Sequence, residues 1–222
     1  MCTRARPPYA RMVYYGDYEG RLRDLIHLLK YQRVQPAATV LGRLLWQVIN
    51  SELAGGGSAG QGAEWRGAER GLLVPVPLHS SRRRSRGFNQ AEEIGAAVAA
   101  CAAQHPFSSC AAPRQLWEMD AGMLTRIRFT ETQTGMTTHQ RRLNVRGAFA
   151  VNHAERLRGR DILLIDDVMT TGATLSECTR VLRRAGCGTV RVATVARVLK
   201  TSIAKALSWE NDNDELVEKA IH

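Results

Sequence analysis

The apolar positions of the chain fall into segments with either helical or strand-like spacing. Residues 13–20 read as a short strand followed by a turn, and residues 22–31 carry leucine and isoleucine along one face of a helix. The same spacing predicts a second helix from residue 37 to residue 53. The next apolar run, residues 72–77, predicts a buried strand, and its two prolines restrict it to a strand end or an irregular edge.

The chain becomes more polar after this strand. We predict an arginine-bearing loop at residues 78–88, then a helix from Asn89, a suitable N-cap, to about residue 103. A short strand is predicted at residues 124–128. Residues 130–147 are polar and read as a mobile loop that contains a helical piece.

A strand and a helix with clear boundaries follow. Residues 162–165 are apolar β-formers without alternation, which is typical of a central parallel strand covered on both faces. A helix is predicted from residue 175 to residue 185, and a last strand from residue 190 to residue 195. Because strands and helices alternate from residue 72 onward, we predict an α/β fold with a parallel sheet.

Length and composition indicate a globular protein with one α/β domain and a small additional segment, since the chain has 222 residues. It has no apolar run of membrane-spanning length and no apolar core of a secretory signal, so we expect neither membrane insertion nor secretion. The five scattered cysteines favour the reducing cytoplasm over a disulfide framework. The net charge of +10 suits nucleic acid and anionic metabolites equally.

Two carboxylates and a short polar loop follow the central strand. Asp166 and Asp167 come directly after residues 162–165, and ligands of open α/β sheets bind at the carboxyl ends of the strands. The next loop can direct backbone N–H groups and hydroxyls to one point, and the following helix adds its positive N-terminal end. We therefore predict that this loop binds a phosphate and that the two carboxylates bind sugar hydroxyls, or a metal ion held through water. The loop residues are Thr170, Thr171, Gly172, Ala173 and Thr174.

Basic residues form two further candidate groups. His79, Arg82 and Arg86 lie between a predicted strand and a predicted helix. A guanidinium group reaches two phosphate oxygens at once, so this segment can bind a pyrophosphate. The alternative is a basic surface loop that is simply solvated. The second group, in the predicted mobile loop, consists of Arg141, Arg142 and Arg146.

These motifs together resemble one protein family. Residues 162–175 are similar to the phosphoribosyl diphosphate (PRPP) signature of the type I phosphoribosyltransferases, in which two acids and three spacers precede T-G-x-T. Four further motifs narrow the resemblance to the ComF family, across residues 13–31 and 72–199. They are V-P-V-P-L-H, R-G-F-N-Q, Q-T-G and R-R-x-N-V-R-G-A-F.

The resemblance implies a type I phosphoribosyltransferase-like fold, with a five-stranded, mostly parallel sheet and helices on both faces. Residues 1–53 would form a small helical cap at the sheet edge, residues 54–70 a flexible loop, residues 71–200 the phosphoribosyltransferase-like domain and residues 201–222 a tail. A bacterial cytoplasmic protein is implied, with a link to DNA uptake in some members. Such proteins often begin with a zinc ribbon of CxxC pairs, but this sequence has no CxxC, so we expect no ribbon.

The resemblance also implies that the protein binds PRPP together with Mg²⁺. The loop Thr170–Thr174 would bind the 5′-phosphate, and the carboxylates of Asp166 and Asp167 the ribose hydroxyls. The pyrophosphate would lie against His79, Arg82 and Arg86, with Mg²⁺ bridging it to the ribose and no protein side chain coordinating the metal directly. The lid over the site would carry Arg141, Arg142 and Arg146.

Two functions are compatible with these residues. In the first, the protein is an enzyme that transfers the phosphoribosyl group to an unidentified acceptor and releases pyrophosphate, while Asp166 and Asp167 stabilise the cationic sugar. In the second, it binds PRPP or a nucleotide without chemistry, as a competence factor that handles single-stranded DNA. Few aromatic residues interleave with the arginines, which favours a small phosphate ligand. Whether the chain forms a homodimer is left open.

Overall fold

The computed structural model of the chain describes residues 6–53, 70–104, 116–130 and 137–199. In chain order the elements are β1 (Arg11–Asp17), α1 (Gly20–Tyr31), α2 (Pro36–Leu53), β2 (Arg70–Pro75), α3 (Ser80–Arg86), α4 (Gln90–Gln104), β3 (Leu116–Met119), β4 (Leu124–Arg126), α5 (Thr138–Val145), β5 (Phe149–Val151), α6 (Ala154–Leu157), β6 (Asp161–Met169), α7 (Ala173–Arg184) and β7 (Val190–Arg197). Among these, no helix has both the length and the apolar content needed to cross a membrane.

The main sheet has five strands in the order β1-β7-β6-β2-β3, and every neighbouring pair is parallel. This confirms the predicted α/β fold. β2 lies inside the sheet between β6 and β3. Its last residue is Pro75, so this proline lies at a strand end, as predicted. β4 and β5, which flank α5 in the chain, form a separate two-stranded antiparallel sheet.

Both faces of the sheet are covered by helices, because side chains of the central strands alternate between two apolar cores. Leu163 and Ile165 of β6 face the core that includes α2 and α4. Ile162 and Leu164 face the opposite core, to which α7 contributes Leu175, Cys178 and Leu182. The unbroken apolar run at residues 162–165 therefore reflects burial on two sides.

The N-terminal segment, expected as a cap at the edge of the sheet, supplies the edge strand itself. β1 pairs with β7 along its length, and α2 packs on α4 and on the sheet. Leu41, Leu45 and Ile49 are fully buried, one turn apart along the same face of α2. The apolar face of this segment is thus part of one of the two main cores.

A glycine allows the close approach of α2 to α4. A Cβ placed on Gly42 would lie 2.4 Å from the Cβ of Ala97 and 3.0 Å from the carbonyl oxygen of Ile94. We expect Gly42→Val to push the helices apart and to lower the free energy of unfolding by about 2 kcal/mol or more. Urea denaturation would measure this, with Thr39→Val on the exposed side of α2 as the control. An unchanged midpoint for Gly42→Val would contradict the described packing.

Several local predictions need correction. Residues 78–88 were expected as a loop, but they contain the helix α3, which ends at Gly87 in the left-handed conformation. No residue of α3 is buried, so its sequence lacks the apolar periodicity that would have indicated a helix. β3 was not predicted, because it is a four-residue strand at the edge of the sheet. The predicted flexible loop and C-terminal tail lie, apart from Arg70, outside the described residues.

Candidate functional site

The acidic pair lies where β6 and β2 reach the same edge of the sheet. Pro75, at the end of β2, pairs with Ile165, and the backbone N–H of Val76 donates to the Ile165 carbonyl oxygen at 2.8 Å. Asp166 and Asp167 follow immediately on β6, which continues to Met169 rather than ending at the acids. The segment after β2 therefore lies beside the two carboxylates, at the edge where β2 ends and β6 continues.

The two carboxylates point to opposite sides of β6, because successive strand residues alternate. Asp166 continues the row of Ile162 and Leu164 toward α7, and Asp167 continues the row of Leu163 and Ile165. Backbone N–H groups hold both side chains. The Asp167 N–H donates to Asp166 Oδ1 at 3.0 Å, and the Val168 N–H donates to Asp167 Oδ1 at 2.6 Å.

The environment of Asp166 disfavours its ionised form. Burial and then the neighbouring Asp167 carboxylate raise the pKa of Asp166 well above its ordinary value, while the Asp167 backbone N–H and Lys30 act in the opposite direction. Hydroxyl groups that donate hydrogen bonds to this carboxylate would offset part of its lost solvation. A sugar with vicinal hydroxyls is a ligand with that property.

The loop after β6 has the features of an anion site. Gly172 has a φ of 70° in the left-handed region and is the N-cap of the twelve-residue helix α7, where no side chain caps the first N–H groups. The hydroxyl oxygen of Thr171 is buried without a hydrogen-bond partner in the described part of the chain. Thr170 and Thr174 are half-buried on either side of it. Unsatisfied donors at a helix N-terminus are suited to a phosphate.

The predicted basic group begins at the start of α3. His79 is the N-cap of α3, and its Nδ1 accepts from the backbone N–H of Ser81 at 3.3 Å. Partial desolvation, and then Arg126, Arg84 and Arg82, lower the pKa of His79. The imidazole is therefore neutral at pH 7, with its Nε2–H available as a donor when Nδ1 accepts.

Arg86, the last residue of α3, contacts residues of α1 and α4. Its guanidinium is 5.5 Å from the centre of the Tyr31 ring and donates to Gln90 Oε1 at 3.5 Å. Asn89 caps α4 as predicted, accepting from the Ala91 N–H, and it donates to the carbonyl oxygen of Val76. The R-G-F-N-Q motif thus joins α3, α4 and the end of β2.

Arg126 connects the basic group to the acidic pair, and sequence reasoning missed it. Its guanidinium lies 5.4 Å from the centre of the ring of Phe149, the residue opposite it in the β4–β5 sheet, and donates to the Thr130 hydroxyl. Burial, followed by repulsion from Arg82, lowers its pKa to about 10, and Asp166 is close enough to oppose that shift. Nothing in the spacing of residues 124–128 distinguishes this arginine from Arg128.

Lys30 is the second missed residue. Its Nζ lies 3.2 Å from Asp167 Oδ2, and the two side chains are only 8% and 13% exposed. A signal was present in the sequence, because Lys30 is four residues after the buried Ile26 and so occupies the inward face of α1. A lysine at such a position usually has a buried partner.

The predicted lid residues lie on or directly after α5, the helical piece expected within this segment. Arg141 is 1% exposed and shares the inward face of α5 with the buried Val145, four residues later. Arg142 and Arg146 are exposed, and the Arg146 carbonyl oxygen accepts from Arg128 at 2.8 Å. Arg141 therefore faces the interior, while the lid role of Arg142 and Arg146 stays a prediction. The Q-T-G motif lies outside the described residues.

The donor set fits Mg²⁺ only through a ligand or water. In the described parts of the chain there is no group of three or more His, Cys, Asp or Glu side chains that could hold a metal ion. Asp166 and Asp167 alone supply two carboxylates, and Mg²⁺ is usually bound through one or two carboxylates together with substrate phosphates and water. Each can accept hydrogen bonds from metal-bound water, which suits an ion that usually retains several waters.

Comparisons with known proteins agree with this architecture. Residues 118–218 match the family described as phosphoribosyl transferase domain. The DNA utilization protein YhgH of Salmonella typhi is 33% identical over 198 residues, which cover 89% of this chain and 77% of that protein. YhgH of Escherichia coli K12 is 31% identical over 199 residues, with the same coverage. Competence protein F of Haemophilus influenzae is 27% identical over 197 residues, covering 88% of this chain and 76% of that protein.

Proposed function

Because the chain belongs to the ComF family of phosphoribosyltransferase-like proteins, we propose that it binds PRPP with Mg²⁺ at the carboxyl edge of the parallel sheet. One observation carries the proposal. The uncapped N-terminus of α7, preceded by the unpartnered hydroxyl of Thr171, directly follows two carboxylates at the end of a buried strand. A ligand that places a phosphate at the helix N-terminus and a diol at the carboxylates is a ribose 5-phosphate.

The proposed ligand spans three groups of residues. The 5′-phosphate binds at Thr170–Thr174, and the ribose hydroxyls donate to Asp166 and Asp167. The pyrophosphate lies toward His79 and Arg82, which are electrostatically linked to Asp166 through Arg126. Arg86 contributes from the end of α3, next to Tyr31. Mg²⁺ neutralises part of the pyrophosphate charge when it is bound with the ligand.

Transfer of the phosphoribosyl group is the reaction that we assign to this site. A nucleophile of the acceptor forms a bond to the anomeric carbon as the bond to the pyrophosphate oxygen breaks, and pyrophosphate leaves with that electron pair. The acceptor's proton passes to the pyrophosphate or to solvent. Asp166 and Asp167 stabilise positive charge on the sugar, while Arg82 and His79 bind the leaving group. The acceptor is unassigned, and the proposed location is the cytoplasm.

A second candidate function is binding of single-stranded DNA without phosphoribosyl transfer. The relatives named for DNA utilization and competence favour it, as does one aromatic residue. Phe129 is 52% exposed, and its ring centre is 5.3 Å from that of His79, next to the arginines of the site. An exposed aromatic ring within a basic surface can stack on a base.

Calorimetric titration with PRPP and Mg²⁺, at low and at physiological salt, tests the first proposal. We expect saturable binding that requires Mg²⁺ and survives the salt increase, followed by pyrophosphate release in a panel of nucleobases and amines. A single-stranded oligonucleotide serves as the parallel ligand, and its binding should weaken steeply with salt if it follows the phosphates. No saturable binding of PRPP at either salt would contradict the proposal.

A further inference from the structure

The last turn of α1 contacts both halves of the proposed site. Lys30 forms its ion pair with Asp167, and the next residue, Tyr31, lies beneath the guanidinium of Arg86. The two contacts therefore join a helix of the N-terminal segment to the acidic pair and to the R-G-F-N-Q motif.

The Lys30 contact fixes the orientation of the Asp167 carboxylate. Asp167 Oδ1 accepts from the Val168 N–H at 2.6 Å, and Oδ2 lies 3.2 Å from Lys30 Nζ. Oδ1 thus has its partner on β6, and Oδ2 has its partner on α1. Because each carboxylate oxygen has two lone pairs, each also keeps the capacity to accept from a ligand hydroxyl.

The position of α1 is itself fixed by a set of packed polar rings. The Tyr18 hydroxyl lies 2.9 Å from His27 Nε2, and Tyr18 is 7% exposed. The His27 ring centre is 5.2 Å from that of Tyr31, one turn further along the helix. These contacts fix the position of the end of α1, from which the Lys30 side chain extends to Asp167 on β6.

A role in packing alone does not account for a lysine here. Removing an ammonium group from water is costly, and apolar residues of similar volume often stabilise a protein more than a buried ion pair does. The neighbouring inward residues of α1, Ile26 and Leu29, are apolar and fully buried. A charge at this position is explained if the site needs the Asp167 carboxylate held in one orientation.

We propose that Lys30 is a positioning residue of the PRPP site, which holds the Asp167 carboxylate in the orientation that accepts the ribose hydroxyls. The positive charge of Lys30 also opposes the rise in the pKa of Asp166. This inference rests on the proposed PRPP function. It makes α1 a component of the binding site in addition to its part in the core.

The test compares Lys30→Met and Lys30→Arg with Arg21→Met, which removes a charge from the exposed face of the same helix. In titrations with PRPP and Mg²⁺, we expect Lys30→Met to weaken binding by about 10-fold or more. Lys30→Arg keeps the charge with a different reach and should lose less affinity. Arg21→Met should bind as the wild type does, and melting temperatures check that each variant is folded.

A double-mutant cycle separates positioning of Asp167 from a general structural effect. On an Asp167→Asn background, Lys30→Met should lower the affinity by less than about 2-fold, because its partner is already altered. Wild-type affinity in Lys30→Met, or the same loss on both backgrounds, overturns the positioning role. If Lys30→Met does not fold, Lys30→Arg carries the same cycle. If the wild-type protein binds no PRPP, the proposed function fails first and the inference falls with it.

Discussion

Replacing Asp166 and Asp167 together by asparagine is expected to lower the affinity for PRPP by at least about 100-fold. Each carboxylate accepts charge-assisted hydrogen bonds from the ribose in the proposed complex, and such bonds contribute roughly 1.5–3 kcal/mol each. Two lost partners therefore correspond to a decrease of two or more orders of magnitude in the binding constant. Calorimetric titration measures the loss, with Asp24→Asn on the exposed side of α1 as the matched control.

The single variants should separate binding from stability. Asp166→Asn removes a carboxylate whose pKa is raised by burial and by Asp167, so it should stabilise the unliganded protein at neutral pH, on the order of 1 kcal/mol. Asp167→Asn loses the charge that pairs with Lys30 and should destabilise it. Both should weaken PRPP binding. Unchanged affinity in the double variant would remove the acidic pair from the site.

The stability of the wild-type protein should also depend on pH through Asp166. The raised pKa means that the native state holds its proton at pH values where the unfolded chain has released it. The unfolded state then binds fewer protons, so the free energy of unfolding decreases as pH rises from the unfolded-state pKa to the folded-state pKa. Denaturation at a series of pH values should show this decrease in the wild type and a smaller one in Asp166→Asn.

Gly172→Val is expected to abolish the phosphate site while most of the fold persists. The left-handed backbone at Gly172 is unfavourable for any L residue and worst for a β-branched one, so the loop must change conformation. Space is not the reason, since an added Cβ would meet Met169 Sδ at 3.5 Å and the Tyr9 hydroxyl at 3.7 Å, which are ordinary contacts. Loss of the aligned N–H groups should weaken PRPP binding by about 100-fold or more.

Two further glycine variants make this test specific. Gly172→Asn should retain much of the affinity, because asparagine tolerates the left-handed region. Gly186→Val introduces the same backbone conflict after the other end of α7, where φ is 90°. It should lower the melting temperature without affecting PRPP binding. Equal losses of affinity in Gly172→Val and Gly186→Val would mean that strain in α7, rather than the phosphate loop, is responsible.

The parts of the site that the sequence revealed are the local ones. The strand, acid pair, glycine turn and helix of residues 162–185 are contiguous, so their order in the sequence is their order in space. Lys30 and Arg126 reach the site from a helix and a strand distant in sequence, and only the packing of α1 and of the β4–β5 sheet brings them there. The burial of Arg141 was not predicted for a related reason, because basic composition does not indicate which side of a short helix faces inward.

The pairing of β1 with β7 has a consequence for how the protein is made. β1 precedes the other described strands in the chain, yet its only neighbour in the described sheet is β7, whose final residue is Arg197. This edge of the sheet, and with it α1 and Lys30, cannot reach its native place until β7 has left the ribosome. Until then the apolar face of α2 lacks its contacts with β7 and stays exposed. The nascent chain is therefore a candidate for chaperone binding during synthesis.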